Sequence, residues 1–242
     1  MVIGRDDAYN CYIDSTQKVL YACVLSLRKD FTILDFGCGN GRWAFWFAPR
    51  VARIIGIDLS PAMVDAARQF ASEQGIQNVG FTVPGDGSQF PDDSFDIVNC
   101  VWVLKYILTD AGAKSTITEF CRVTKPGGYV AVIEQVNRSG SLLIENEGYY
   151  PGRALYRMPE FYIEAFRNRG MRLRHHAITN ASPLFWAYSR VQRALHGSAA
   201  TSSAPGLRWV TAASVRCDLL TRQAMRFRNG HHFFLFQKEG EA

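Results

Sequence analysis

Residues 33–48, ILDFGCGNGRWAFWFA, place an acid, Asp35, and the alternate glycines Gly37, Gly39 and Gly41 between a buried-strand pattern and an apolar helix pattern. A glycine has no Cβ, so the backbone turns sharply and approaches a ligand closely, while the N–H groups of the following helix start attract polar atoms. That combination suits a pocket for a nucleoside-bearing ligand. A dinucleotide fingerprint sets its third glycine one residue later. Here that position is Arg42, too bulky for close helix–strand contact, and the loop lacks the GK[ST] of a phosphate-binding P-loop. Taken alone, the same glycines also fit a tight turn with no ligand.

A second half-pocket follows one strand–helix unit later, in ARIIGIDLSPAMVDAARQF, residues 52–70. Asp58 closes a β-branched run. A carboxylate there accepts hydrogen bonds from both hydroxyls of a ribose. Ser60 is the expected N-cap and Pro61 the expected first helical residue. The competing role for Asp58 is helix-start electrostatics, worth about 0.3–1 kcal/mol.

Together these residues resemble the class I S-adenosylmethionine-dependent methyltransferases, over about residues 31–136. The resemblance implies that Asp35 and the three glycines lie against the methionine part of the cofactor and that Asp58 holds its ribose. It also implies that Asp86, in FTVPGDGSQFPDDSFDIVNC, meets the adenine amino group. Leu59, Met63, Gly87 and Val101 complete the implied cofactor contacts. PDDSFDIV is similar to the family's entry into its fourth strand, and RVTKPGGYVAVIE, residues 122–134, to its PGG turn and fifth strand. S-adenosylmethionine already carries an activated methyl group, so such a reaction needs alignment rather than a metal, and S-adenosylhomocysteine is the product.

These residues must be held by alternating elements. The pattern predicts strands at 31–36, 53–57, 79–83, 95–100 and 129–135, and helices at 42–50, 61–74 and 110–124. The implied fold is α/β: a doubly wound, mostly parallel seven-stranded sheet with an antiparallel last strand, helices on both faces, and a helical insertion near the C-terminus. Ligands of such sheets bind at the carboxyl ends of the strands. The chain divides into an N-terminal helical cap (1–30), a cofactor core (31–136) and a substrate-specifying part (137–242), all within one domain. Residues 136–157 are a long connection, expected to be a lid or substrate wall. MPEFYIEAFRNRG is a helix ended by Gly170, and MRLRHHAI and HHFFLFQK are the last two strands. Between those strands lie expected helices at 183–195 and about 207–225, joined by HGSAATSSAPG.

At 242 residues, 48% hydrophobic and 20% charged, the chain can bury a sizeable core. The opening MVIGRDDAYN lacks the apolar stretch of a signal peptide, and no apolar run reaches the roughly 20 residues of a membrane span. The six cysteines show neither CxxC pairing nor metal spacing. A cytoplasmic protein with reduced thiols and no metal is expected.

Charge divides along the chain. Residues 1–136 hold 12 Lys+Arg against 15 Asp+Glu, whereas 137–242 hold 15 against 7, and 14 of those 15 cations are Arg. Arg pairs well with phosphate and carboxylate. This predicts an anionic acceptor such as a phosphorylated sugar or a carboxylated metabolite, against the alternative of a solvated face or subunit contact. After the fourth strand, Trp102 is expected to wall the acceptor and Tyr106 to orient its hydroxyl or amine, where the family often has His. Tyr106 as plain packing is the alternative. Glu134, closing the fifth strand, is expected to hold the acceptor or take its proton, because an acid there is a poor core residue. Tyr12 either reaches the cofactor's carboxylate or only packs, and His175 and His176 are expected to be structural. NCVW replaces the [ND]PP[YF] of enzymes that methylate planar amino groups. The reading is methyl transfer to a hydroxyl, less favourably an amine, of a small molecule. Nucleic-acid methylation and a non-catalytic cofactor-binding subunit are the alternatives, and a homodimer is left open.

Overall fold

The computed structural model describes residues 7–85, 90–146, 152–179, 181–196, 207–221 and 229–240. The expected role of Asp86 and Gly87 and the expected loop at 197–206 lie outside the described residues. A seven-stranded sheet runs in the order β3-β2-β1-β4-β5-β9-β8. Its strands are β1 (Thr32–Phe36), β2 (Arg53–Ile57), β3 (Val79–Thr82), β4 (Phe95–Val101), β5 (Thr124–Val136), β8 (Met171–Thr179) and β9 (Gly230–Lys238). β1 to β5 are parallel, and β9 pairs antiparallel with both β5 and β8. The doubly wound fold expected from the sequence is present.

Alternation within the strands sorts the core into two layers. Ile33, Ile54, Ile97, Ile133 and Phe233 pack with Leu20, Tyr21, Trp43, Phe47 and Val64, from helices α1 (Asp7–Val24), α2 (Arg42–Phe47) and α3 (Pro61–Glu73). Leu34, Val98, Val132 and Phe234 turn the other way, onto Ile117, Phe120 and Phe166 of α4 (Asp110–Val123) and α5 (Pro159–Arg167). Each such apolar side chain contributes about 1.5–3 kcal/mol when fully buried. The helix starts are fixed locally. Ser60 Oγ accepts the Met63 N–H with Pro61 behind it, and Thr109 caps α4 by accepting the Gly112 N–H.

Three expectations change. Within the connection at 136–157, where no strand pair was expected, Leu142–Asn146 (β6) and Gly152–Tyr156 (β7) pair antiparallel. The helix expected at 42–50 stops at Phe47 and continues as a 3-10 turn through Pro49, because a proline supplies no N–H. The fifth strand begins at Thr124 rather than 129, with the PGG turn inside it and an irregularity in its pairing between Phe95 and Ile97. The insertion forms α6 (Pro183–His196) and α7 (Leu207–Thr221). Among the described residues no helix is long and apolar enough to cross a membrane.

Candidate functional site

Strand order reverses between β1 and β4, so their carboxyl ends open a crevice. The glycine loop fills it. Gly37, Gly39 and Gly41 have φ of 71°, 53° and 87°, the left-handed region that side chains disfavour. A Cβ on Gly37 would stand 2.2 Å from Val103 Cγ2, whereas one on Gly39 would meet nothing within 4 Å. Gly37 is therefore pressed against the segment after β4, and Gly39 borders open space.

Asp58 ties the two halves of this crevice together. Its Oδ2 accepts the Gly39 N–H at 2.8 Å and its Oδ1 the Ser60 N–H at 2.9 Å. Each oxygen keeps a further lone pair. Beside it Leu59 is 86% exposed and Met63 41%, an uncovered apolar surface next to a carboxylate. Asp35 is buried, with Oδ1 accepting the Asn99 amide at 2.8 Å and no hydrogen bond to Oδ2. Burial pushes its carboxyl up to about 6, and the Asn99 hydrogen bond draws it back. Open space at Gly39, a diol-ready carboxylate, an uncovered apolar patch and a buried acceptor lacking a donor fit a cofactor with an amine, a ribose and a flat base. The thiols of Cys38 and Cys100 beside it are pushed up by burial and are poor nucleophiles.

Arg42 occupies the position that argued against a dinucleotide loop. It donates to Asp14 Oδ1 at 2.9 Å and lies over Trp43 and Trp102, so it joins α1 to the loop rather than crowding β1. Its signal in the sequence was one cation opening an otherwise apolar helix.

Beyond the glycine loop, Val101 leads into Trp102, which takes φ 60° while its N–H donates to Ile133 O at 2.8 Å. A bulky residue holds this conformation only when its surroundings impose it. The Trp102 ring meets the edge of His231 at 5.0 Å and the Lys105 ammonium at 5.6 Å. Tyr106 is half exposed. Glu134 is not at the surface: it is fully buried, and its Oε1 accepts the Leu104 N–H at 2.6 Å. This corrects the premise that an acid closing β5 is a poor core residue, because backbone N–H groups after β4 supply its partners. Burial pushes its carboxyl up to about 7, and Lys105 draws it back.

The arginine-rich half is more committed than its composition implied. The Arg157 guanidinium is fully buried and donates to Asp110 Oδ1 at 2.7 Å, Leu104 O at 3.0 Å and Ile107 O at 2.7 Å. Arg138 and Arg153 pair with Glu160 and Glu145, and Arg169 donates to Thr118 and the Ala165 carbonyl. Arg172 and Arg174 are exposed on β8, which borders the sheet, where cations discourage edge pairing. Tyr12 is fully buried and donates to Asp218 Oδ2 at 2.6 Å, which ties α1 to α7. Its hydroxyl is thereby occupied. His176 and His232 share a 2.8 Å hydrogen bond across β8 and β9. Sequence reasoning passed over Lys105, Arg157 and His231; the first of these stood out as the sole cation in VWVLKYIL.

A mostly parallel sheet with a glycine loop and a β2-terminal acid at its switch point has the architecture of nucleoside-cofactor-binding α/β folds. Residues 33–128 match the family described as a methyltransferase domain. The chain is 34% identical over 108 residues to the methyltransferase YcgJ of Bacillus subtilis, covering 44% of this chain and 42% of that one. It is 35% identical over 109 residues to a ubiquinone biosynthesis O-methyltransferase of Aeromonas salmonicida, covering 44% of each. These matches span less than half the length of either relative. Among solved structures, the [4+2]-cyclase SpnF shares the fold with a TM-score of 0.63 at 21% identity, over 94% of this chain and 81% of that one. Over residues 33–128 the chain is similar to methyltransferase domains, and its fold is shared by solved structures of such proteins.

Proposed function

We propose that the chain binds S-adenosylmethionine and catalyses transfer of its methyl group to a hydroxyl of a small molecule. The observation that carries this is the Asp58 carboxylate, hydrogen-bonded to the Gly39 N–H at 2.8 Å at the edge of open space. Asp35, Gly37, Gly39 and Gly41 would hold the methionine part, Asp58 the ribose, and Leu59, Met63 and Val101 the base, with Asp86 and Gly87 closing on its amino group. When bound, the cofactor supplies an electrophilic methyl carbon on a sulfonium. The chain has to orient an acceptor oxygen in line with it and keep water away. Holding two reactants in near-attack geometry supplies about 7–11 kcal/mol.

Residues 31–136 would then form the cofactor core and 137–242 the substrate-specifying part, with two residues of the core facing the acceptor. Trp102 and Tyr106 wall the acceptor side. Glu134 acts as a positioning residue, holding the backbone after β4 through the Leu104 N–H. A hydroxyl acceptor is supported by the O-methyltransferase among the relatives. An anionic acceptor loses part of its support, because Arg138, Arg153, Arg157 and Arg169 have partners within the chain.

Calorimetric titration with S-adenosylhomocysteine tests the cofactor. Micromolar binding, about −8 kcal/mol, weakened tenfold or more in Asp58→Ala, is expected. Absence of binding to folded protein would sink the reading. The cyclase shows that one fold hosts different chemistries, so turnover is tested separately. S-adenosylhomocysteine should accumulate from S-adenosylmethionine in a mixed small-molecule extract with wild-type protein and not with Asp58→Ala.

A further inference from the structure

Lys105 carries a charge in a place where charge is costly. It is 7% exposed, yet the Glu134 carboxylate acts on it only through space, without a contact ion pair. Its ammonium donates to the neutral Gln135 Oε1 at 2.7 Å, using one of three N–H groups. Three rings surround it: Trp102 at 5.6 Å, Tyr106 at 5.1 Å and Tyr156 at 6.0 Å. Ring faces attract a cation but do not neutralise it, and a buried charge is tolerated when paired and hydrogen-bonded.

The location matters as much as the charge. Lys105 follows Trp102, whose other neighbour is Arg42 at the start of α2, and Val103 abuts Gly37 in the glycine loop. Tyr156 comes from the hairpin that covers this segment. Tyr106 is half exposed, so one of the three rings around the ammonium borders solvent. The other titratable groups facing it are Glu134 from β5, whose remaining oxygen has no partner, and His231 from β9, at the edge of Trp102. Burial depresses the His231 imidazole to about 3, so it is neutral across the working pH range.

We propose that Lys105 and the rings of Trp102, Tyr106 and Tyr156 form the acceptor subsite, and that this subsite takes a planar acidic hydroxyl, a phenol or enol, as its anion. This rests on the methyltransferase reading and narrows its substrate. The aromatic rings fit a flat acceptor, and an ammonium without a contact ion pair favours its oxyanion while disfavouring a protonated amine. The acceptor O–H loses its proton to solvent on binding beside the ammonium. The oxygen lone pair then forms the new O–C bond as the methyl carbon–sulfur bond breaks, and that electron pair stays on sulfur.

The experiment uses 4-nitrophenol, which absorbs in the visible as its anion, titrated into the full chain with and without S-adenosylhomocysteine. With wild-type protein the bound probe should ionise at a pH at least one unit lower than free probe, a tenfold shift in its acid constant. Lys105→Met should abolish the shift, Lys105→Arg should keep most of it, and both should bind S-adenosylhomocysteine within about twofold of wild type. Equal probe spectra for wild type and Lys105→Met, or no probe binding by wild type, would overturn the subsite while leaving the cofactor reading intact. A Lys105-dependent shift without S-adenosylhomocysteine binding would uphold the anion site and sink the methyltransferase reading instead.

Discussion

The glycine-loop crevice where strand order reverses beside β1 and the cage after β4 are neighbours built in opposite ways. The first consists of backbone and a carboxylate contributed by residues close in sequence: Gly37, Gly39, Gly41 and Asp58 lie within 22 positions and are joined by one N–H bond. The second is assembled from Lys105, Gln135, Tyr156 and Arg157, drawn from three separate segments. Short-range chemistry fixes the cofactor side whatever the acceptor is, while long-range packing leaves the acceptor side free to vary.

Arg157 gives the sharpest way to break that contrast. It reaches from the end of the hairpin to the carbonyls of Leu104 and Ile107, and Phe161 lies under its guanidinium at 4.8 Å. Arg157→Met keeps bulk but removes the donor to Ile107 O and one of two donors to Leu104 O, which keeps the Ile107 N–H, while exposed Asp110 turns to water. A loss of about 2–3 kcal/mol is expected, read by urea denaturation. A loss under about 1 kcal/mol would show that the cage does not depend on the hairpin.

The glycines test the other side. Gly37→Ala strains a residue at φ 71° and drives a Cβ into Val103, which should cost about 2–5 kcal/mol. Gly39→Ala meets open space, so its stability loss should stay near the 1–2 kcal/mol of the left-handed conformation alone. Its S-adenosylhomocysteine affinity should nevertheless fall tenfold or more. If affinity survives in Gly39→Ala, the ligand does not lie on that face of the loop.

The same contrast decides what the sequence revealed. Asp35, the glycines and Asp58 were legible because strand period, turn chemistry and cap residues are local signals. The doubly wound class followed from the alternating patterns, whereas the antiparallel last strand came from the family resemblance and the strand order from the structure. The hairpin at 142–156 was hidden because its strands carry Glu145 and Arg153 and no strict alternation. Glu134 was misplaced because burial of an acid depends on donors from another strand's end, here Leu104, which periodicity cannot show. Tyr12 and Asp218 meet across 206 positions, beyond any pattern in the chain.

Buried Glu134 gives the cage a pH signature that reaches higher pH than that of Asp35 in the glycine crevice. Its folded-state pKa is raised, from 4.5 to about 7. The folded protein therefore binds this proton more tightly than the unfolded chain, and the associated stability is present below about pH 4.5 and lost as pH rises through about 7. Asp35 and Asp218, both near 6, act in the same direction, so the comparison must be between variants. Glu134→Gln retains an oxygen for the Leu104 N–H and removes the charge. Relative to wild type it should gain up to about 3 kcal/mol between pH 5 and pH 8, read from paired thermal melts. Parallel pH profiles would show that Glu134 stays ionised in the fold.

The smallest effect concerns the α1–α7 tie, and it separates packing from cofactor contact. Tyr12 donates to Asp218 and accepts the Ser182 N–H at 2.9 Å while stacking on Phe185 at 4.1 Å. Tyr12→Phe keeps the stack and removes the hydroxyl, leaving the Ser182 N–H without this acceptor and Asp218 with only the Thr16 hydroxyl and the Ala181 N–H. A cost of about 1–2 kcal/mol is expected. Because the hydroxyl is already engaged by α6 and α7 partners, S-adenosylhomocysteine affinity should change by less than about twofold. A fivefold or larger loss of affinity at intact stability would mean that Tyr12 leaves Asp218 to meet the cofactor, and that the acceptor half closes over the cofactor half on binding.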